Sequence, residues 1–411
     1  MAGDGDESSG SVRSYHVAWF ITDEVRRDVT VTLGEGRKPD IVPGRTRDAV
    51  ELGSVALVEG LVNAHTHLEF SRLSEPFPAT GCFTDWIRSV VQYRRENPGH
   101  AGDAIRAGVA ESKKAGTTLL GEIATIGWSP QNYSESGFAG VVYQELLGLT
   151  PERLIQQTEL ARSHLAGIDT APDRGLSPHA PYSTHPELVR AAVDVARRSG
   201  RPIAMHIAET RSELELLAQG TGEFRDLLTD FGLWNDELYR VPRRPMDFLK
   251  VLAEAPCVSI IHGNYLEEDE LRFIAERPHM TMVYCPRTHA AFGHAPHPWR
   301  RLLDLGGRVA IGTDSRASNP DLSVFAELQF LASRHLEISH LDLLRMGSRC
   351  GRIALGVTEN DDCNLTLIQL ADPSSPDIEK TLFGPLNKVC GTMTDKYANK
   401  SQIVSDFRSP K

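Results

Sequence analysis

Two histidines, His65 and His67, close the apolar run Leu61-Val62-Asn63-Ala64-His65-Thr66-His67. In a strand, side chains at i and i+2 share one face, so the two imidazoles aim side by side. Neutral imidazole is a common ligand for zinc and related ions. A lone pair at this spacing also arises by chance in a chain with 15 histidines. Its meaning depends on the elements that carry it.

Strand-like apolar runs recur at residues 61–67, 117–123, 139–147, 175–179, 202–206, 258–262, 281–285 and 308–314. Helical patterns lie between them at 103–115, 151–166, 186–198, 246–253 and 267–276, with 321–335 following the last run. Eight strand–helix units predict an α/β fold, a (β/α)8 TIM barrel. No G-x-G-x-x-G follows any strand, which argues against a dinucleotide-binding sheet. Residues 15–22, 29–33 and 49–57 read as a short-strand meander broken by Gly34, Gly36 and Pro43. A helix at 341–355 leads to two late strand patterns at 362–370 and 382–393, which cannot join a closed barrel. They are expected to pair with the meander in a small β-domain built from both ends of the chain. The division expected is a loose tail at 1–13, a β-domain of 14–60 plus 356–394, a barrel of 61–355, and a polar tail at 395–411.

Composition narrows the function. The formal net charge of −11 disfavours a nucleic-acid partner, which needs a basic surface. No apolar stretch approaches the length needed to span a bilayer, and residues 1–12 lack the apolar centre of a secretory signal, so a cytoplasmic location without a membrane anchor is expected. Cys82, Cys257, Cys285, Cys350, Cys363 and Cys390 show no C-x-x-C and read as buried small apolar residues. A small-molecule partner is expected.

In a barrel of this kind the active site forms at the C-terminal ends of the strands. His65 and His67 end the first strand, His179 the fourth, His206 the fifth, His262 the sixth and Asp314 the eighth. Three imidazoles and a carboxylate suit a catalytic divalent ion, Zn2+ or Fe2+, and we assign His65, His67, His206 and Asp314 as ligands. Such an ion lowers the pKa of a water so that hydroxide exists near neutral pH. Glu209, three residues past His206, is placed to donate a proton to a substrate ring; its alternative reading is a charge stabilising the N-terminus of a helix near 212–217. Asp314 can accept the water's proton, and His262 can orient the nucleophile. His179 is either a substrate contact or a satisfied rim residue. His289, His294 and His297 cluster after the seventh strand and read as pocket wall or surface loop.

These motifs, H-x-H, S-P-H-A-P-Y-S at 177–183, H-x-x-E at 206–209, His262 before Gly263-Asn264, and G-T-D-S at 312–315, together resemble the amidohydrolase superfamily. They are most similar to its cytosolic aminohydrolase branch of triazine hydrolases, guanine deaminases and adenosylhomocysteine deaminases. The resemblance implies a distorted TIM barrel with a composite β-sandwich, a homodimer, and hydrolytic deamination of an aminated heteroaromatic ring. Binuclear members carry a carbamylated lysine on strand four; here that strand reads Gly-Leu-Ser-Pro-His, so one metal per chain is implied.

Within the branch, His67-Leu68-Glu69-Phe70-Ser71, the Phe83-x-x-Trp86 segment and Cys285-Pro286-Arg287 resemble the aminodeoxyfutalosine deaminases of menaquinone biosynthesis. The insert at 288–298 departs from them. That resemblance implies an adenine nucleoside carrying a benzoate, with Arg88, Arg94, Arg287 or Arg316 as the cation facing it. Glu69 or Asp85 would take ribose hydroxyls, or hold a ligand histidine from behind. Deamination or dechlorination of another cyclic amidine, such as guanine, S-adenosylhomocysteine, methylthioadenosine or a triazine-like ring, is the alternative activity, and a binuclear amide hydrolase is the alternative chemistry.

Overall fold

A computed structural model describes residues 12–393 except 35–37, 80, 99–100, 126–127, 167–171 and 358–363. The expected tails and Cys363 therefore lie outside the described residues, apart from Val12 and Arg13, and Arg13 opens a strand.

A parallel sheet carries the site. Its order is Val309–Ile311, Met280–Tyr284, Val258–His262, Ile203–Ile207, Asp173–Pro178, Gly140–Leu146, Thr117–Ala124, Leu61–His67 and Asp314–Ser315. The two ends of this row belong to one stretch of chain, interrupted at Gly312 and Thr313. Gly312 donates its N–H to Tyr284 on one side and Thr313 donates to His65 on the other, so that stretch joins the first and seventh strands. The sheet thus curls into a distorted TIM barrel of eight strands. A Cβ at position 312 would lie 2.8 Å from Cβ of His65 and 3.1 Å from Sγ of Cys285, which is why the break carries glycine.

The helices lie where the periodicity predicts, among them Ala101–Lys114, Pro151–Leu165, Pro186–Ser199, Pro245–Leu252, Glu268–Ala275 and Val324–Arg334. Their apolar faces join the strands in the largest buried cluster, which includes Leu188, Val193, Leu249, Leu271, Ile260 and Met282. A second cluster takes Val62, Leu119, Val141, Ala204, Ile261, Val283 and Ala310 from every barrel strand but the fourth, together with Ala354 and Leu355.

A separate seven-stranded sheet draws on both ends of the chain. Val55–Glu59 pairs in parallel with Arg13–Ile21 and antiparallel with Leu365–Gln369, which pairs onward with Lys388–Met393. Several expected boundaries move. The run at 49–57 splits into Val50–Glu51 and Val55–Glu59 around Gly53, whose φ is +65°. The strand expected at 29–33 starts at Val25 and is joined by an unforeseen strand, Asp40–Pro43. The run at 382–393 is a strand only from Lys388. The helix at 341–355 is two helices, His340–Gly347 and Arg349–Ala354, because Ser348 leaves helical geometry and turns its hydroxyl to Leu344 O and Glu59. Of the described cysteines only Cys285 is buried as expected; Cys257, Cys350 and Cys390 are half-buried, and Cys82, just ahead of the helix Phe83–Glu96, is exposed. No helix among the described residues is long and apolar enough to cross a membrane.

Candidate metal centre and active site

The barrel brings His65, His67 and His206 together: their ligand-capable atoms all lie within 4.8 Å of one another. Nε2 of His65 and of His67 lie 3.5 and 3.7 Å from Oδ1 of Asp314. Both ring nitrogens of His65 and Nδ1 of His67 are buried without a hydrogen-bond partner. Buried polar atoms left in this state are costly unless something else satisfies them, and a divalent ion fits the donor set. His206 donates from Nδ1 to the His179 carbonyl at 2.9 Å, which leaves Nε2 as the lone-pair nitrogen. Burial first, and then neighbouring charge, holds His67 and His206 well below the ordinary histidine range, so both rings are neutral.

The two carboxylates diverge. Burial raises Asp314, but His65, His262 and the Ser318 hydroxyl, which donates at 2.6 Å, outweigh it and hold the group at about 2. Glu209 is pushed well above the ordinary range by burial and by the charges of Asp314 and Glu213. Its Oε1 lies 3.3 Å from Nε2 of His262.

Four described non-glycine residues have positive φ, and three are at this site: Ala208 at +53°, His262 at +66° and Asp314 at +56°. Left-handed geometry costs such a residue about 1–2 kcal/mol, so the surroundings must impose it. At Asp314, Thr66 Oγ1 donates to the carbonyl at 3.0 Å. At Ala208 the clamp is Glu213, whose carboxylate accepts the N–H of Ala208 at 2.8 Å and of Glu209 at 3.0 Å. Thr210 caps the helix Arg211–Gln219 and Glu213 sits in its first turn. Glu213, not Glu209, is therefore the charge at that helix start, and Glu209 stands ahead of it.

The remaining candidates are spread more widely. The ring of His179 lies 5.0 Å from that of His206, with Nδ1 2.6 Å from Ser183 Oγ. Glu69 is held by Arg94, at 2.6 Å from Nη2. Asp85 is exposed, and the half-buried Arg88 binds Asp230 at 2.7 Å. Arg287 is enclosed by Asp321 at 2.6 Å and by the fully buried Glu327 at 2.7 Å. Arg316 binds Glu111 at 3.1 Å and the Leu73 carbonyl at 2.9 Å. All four arginines expected to meet a substrate carboxylate thus already meet a protein one.

Glu145 went unassigned in the sequence. It is buried at the end of the third strand, 3.8 Å from Nε2 of His179 and 3.9 Å from Arg94, and neither carboxylate oxygen has a hydrogen-bond partner. Its place at a strand end was the available signal. Glu213 and Ser318 gave no such signal, since their roles run through backbone and side-chain contacts.

Residues 57–361 match the Amidohydrolase family. The aminodeoxyfutalosine deaminase of Deinococcus radiodurans is 29% identical over 75% of this chain and 75% of its own. The 5-methylthioadenosine/S-adenosylhomocysteine deaminase of Pyrococcus furiosus is 27% identical over 79% of this chain and 77% of its own. Among solved structures, the Helicobacter pylori aminofutalosine deaminase superposes with a TM-score of 0.79 at 21% identity, covering 94% of this chain and 99% of that one. The family match spans the barrel and every strand end described above, and the chain belongs to the amidohydrolase family.

Proposed function

We propose that this protein is a metal-dependent deaminase of an adenine nucleoside altered at its 5′ position, with 6-aminodeoxyfutalosine as the first substrate to test. One observation carries the reading. Two buried carboxylates face one cluster of histidines with their affinities for a proton driven apart: burial and the charges of Asp314 and Glu213 push Glu209 up, while His65, His262 and Ser318 hold Asp314 at about 2. That division assigns an acid and a base to one pocket.

His65, His67, His206 and Asp314 would hold one divalent ion, zinc or ferrous iron, per chain. Such an ion supplies a nucleophile of hydroxide strength near neutral pH. Asp314 takes the proton released as water adds to the ring carbon bearing the amine. His262 holds the attacking oxygen in line by a hydrogen bond. Glu209 protonates the adjacent ring nitrogen, the amine takes the proton held by Asp314 and leaves as ammonia, and the hydroxyl proton left on the adduct returns Glu209 to its acid form. The ring oxo compound remains. His179 would contact the substrate across the rim. The barrel at 61–355 is the catalytic unit of this reading, which places the enzyme in the cytoplasm.

A second substrate reading rests on the arginines. A benzoate-bearing nucleoside needs a cation, while Arg88, Arg94, Arg287 and Arg316 are all paired with protein carboxylates. That pairing favours an uncharged 5′ group, as in 5′-methylthioadenosine. Ammonia release from 6-aminodeoxyfutalosine, 5′-methylthioadenosine, S-adenosylhomocysteine, guanine and an aminotriazine separates the two. Turnover of the first alone supports the benzoate reading, and preference for 5′-methylthioadenosine supports the second. No release from any, with metal bound, removes the deaminase proposal.

A further inference from the structure

Three histidines after the seventh strand have no part in the proposed chemistry. His289 bonds to the carbonyl of Ala295 within its own loop, and His294 meets the Tyr265 hydroxyl. His297 reaches further. Its Nε2 lies 2.8 Å from the carbonyl oxygen of His262, and its Nδ1 lies 3.0 Å from the N–H of Trp299. A carbonyl can only accept and an amide N–H can only donate. The ring therefore carries its proton on Nε2 and presents a lone pair at Nδ1.

The carbonyl that it holds is exceptional. His262 has a φ of +66° and is followed by Gly263 at +67°, so the chain turns sharply at the end of the sixth strand. The ladder to the seventh strand ends one residue earlier, at Ile261 opposite Val283. The His262 carbonyl thus has no strand partner on that side, and His297 supplies the donor. Tyr284 stacks on the His297 ring with centroids 3.9 Å apart and planes at 30°, which leaves the ring little room to turn. Burial and the neighbouring histidines hold its pKa at about 3, so it stays neutral at working pH.

We propose that His297 is a positioning residue: it fixes the left-handed backbone of His262 and so aims that imidazole at Glu209 and the reacting water. This rests on the reading of His262 as the group that orients the nucleophile.

The test separates the two hydrogen bonds of the ring. In His297→Gln the amide nitrogen takes the place of Nε2 and keeps the donor to His262. In His297→Asn the amide oxygen takes the place of Nδ1 and keeps only the acceptor for Trp299. With 5′-methylthioadenosine or whichever panel nucleoside wild type turns over, His297→Asn is expected to keep its metal and its KM while kcat falls about tenfold to a hundredfold. His297→Gln is expected to retain most of kcat. Equal losses in both variants, or wild-type kcat in His297→Asn, overturn the proposal. A second readout needs no turnover: nitrogen-15 spectra of labelled histidine, with the His297 signal identified by its absence from the Asn variant. A neutral Nε2–H ring from pH 6 to 9 is expected, with and without metal. An Nδ1–H ring, or one that titrates in that range, overturns the proposal even if no substrate is ever found, whereas failure of the whole panel removes the deaminase reading and leaves this measurement to decide.

Discussion

Oε1 of Glu209 lies 3.3 Å from Nε2 of His262, so the loop after the fifth strand and the end of the sixth meet at one point inside the pocket. Both approach from left-handed backbone: Ala208, just before Glu209, has a φ of +53°, and His262 has one of +66°. The proposed proton donor and the proposed orienting group are therefore set by the same backbone geometry.

Glu209→Gln removes the transferable proton while keeping size and polarity. Turnover should fall by about a hundredfold to ten-thousandfold, the usual worth of a general acid, with metal content unchanged. Ammonia release and metal analysis on the same sample check this. Retained turnover would assign the proton to another group.

Glu213→Gln leaves one oxygen to serve two N–H groups, at Ala208 and Glu209. The loop that carries Glu209 should lose its fixed direction, lowering kcat by about tenfold or more with metal still bound. An unchanged kcat with lowered stability would make Glu213 a helix-start residue only.

Metal content offers a third check. Dialysis against a chelator should abolish activity, and zinc or ferrous iron should restore it at one ion per chain. His206→Ala should fail to reload. Two ions per chain in the wild type would revive the binuclear alternative.

Arg287→Met would strand the carboxylate of Glu327, which is fully buried and keeps only Asn319 as a side-chain donor. Breaking a buried pair in this way costs about 3–5 kcal/mol, so the melting temperature should drop clearly. A raised KM for a carboxylated nucleoside with no loss of stability would return Arg287 to the pocket.

His164 sets a pH dependence of stability away from the site. Burial lowers its pKa to about 4, although Nε2 lies 3.2 Å from the Val142 carbonyl. The unfolded chain therefore binds a proton near pH 6.5 that the folded chain refuses until about 4. Stability lent by the neutral ring is complete above pH 6.5 and lost as pH falls through that window; at pH 5 the loss is about 2 kcal/mol. Urea unfolding of wild type and His164→Gln at pH 5 and 7.5 measures it. A difference between the two proteins that does not change with pH would contradict the assignment.

The order of the barrel strands and the identity of the histidine cluster were legible in the sequence, for a physical reason. A parallel barrel strand is a short apolar run between helices, and polar residues at the C-terminal ends of such runs converge on one rim. His65, His67, His206, His262 and Asp314 announce themselves by that position alone. Segment boundaries were less legible wherever one residue overrode the local pattern, as Ser348 does in ending a helix and Gly53 in splitting a strand.

Tertiary structure alone decided which charges neutralise one another and which side chains hold the backbone of the site. Arg287 meets Glu327 across 40 residues, Arg316 meets Glu111 across 205, and Arg88 meets Asp230 across 142. No periodicity encodes such pairs, because a charged side chain pairs with whatever the fold brings near. The clamps on Ala208, His262 and Asp314 were hidden likewise. Each answers a backbone group that only the folded turn leaves unpaired.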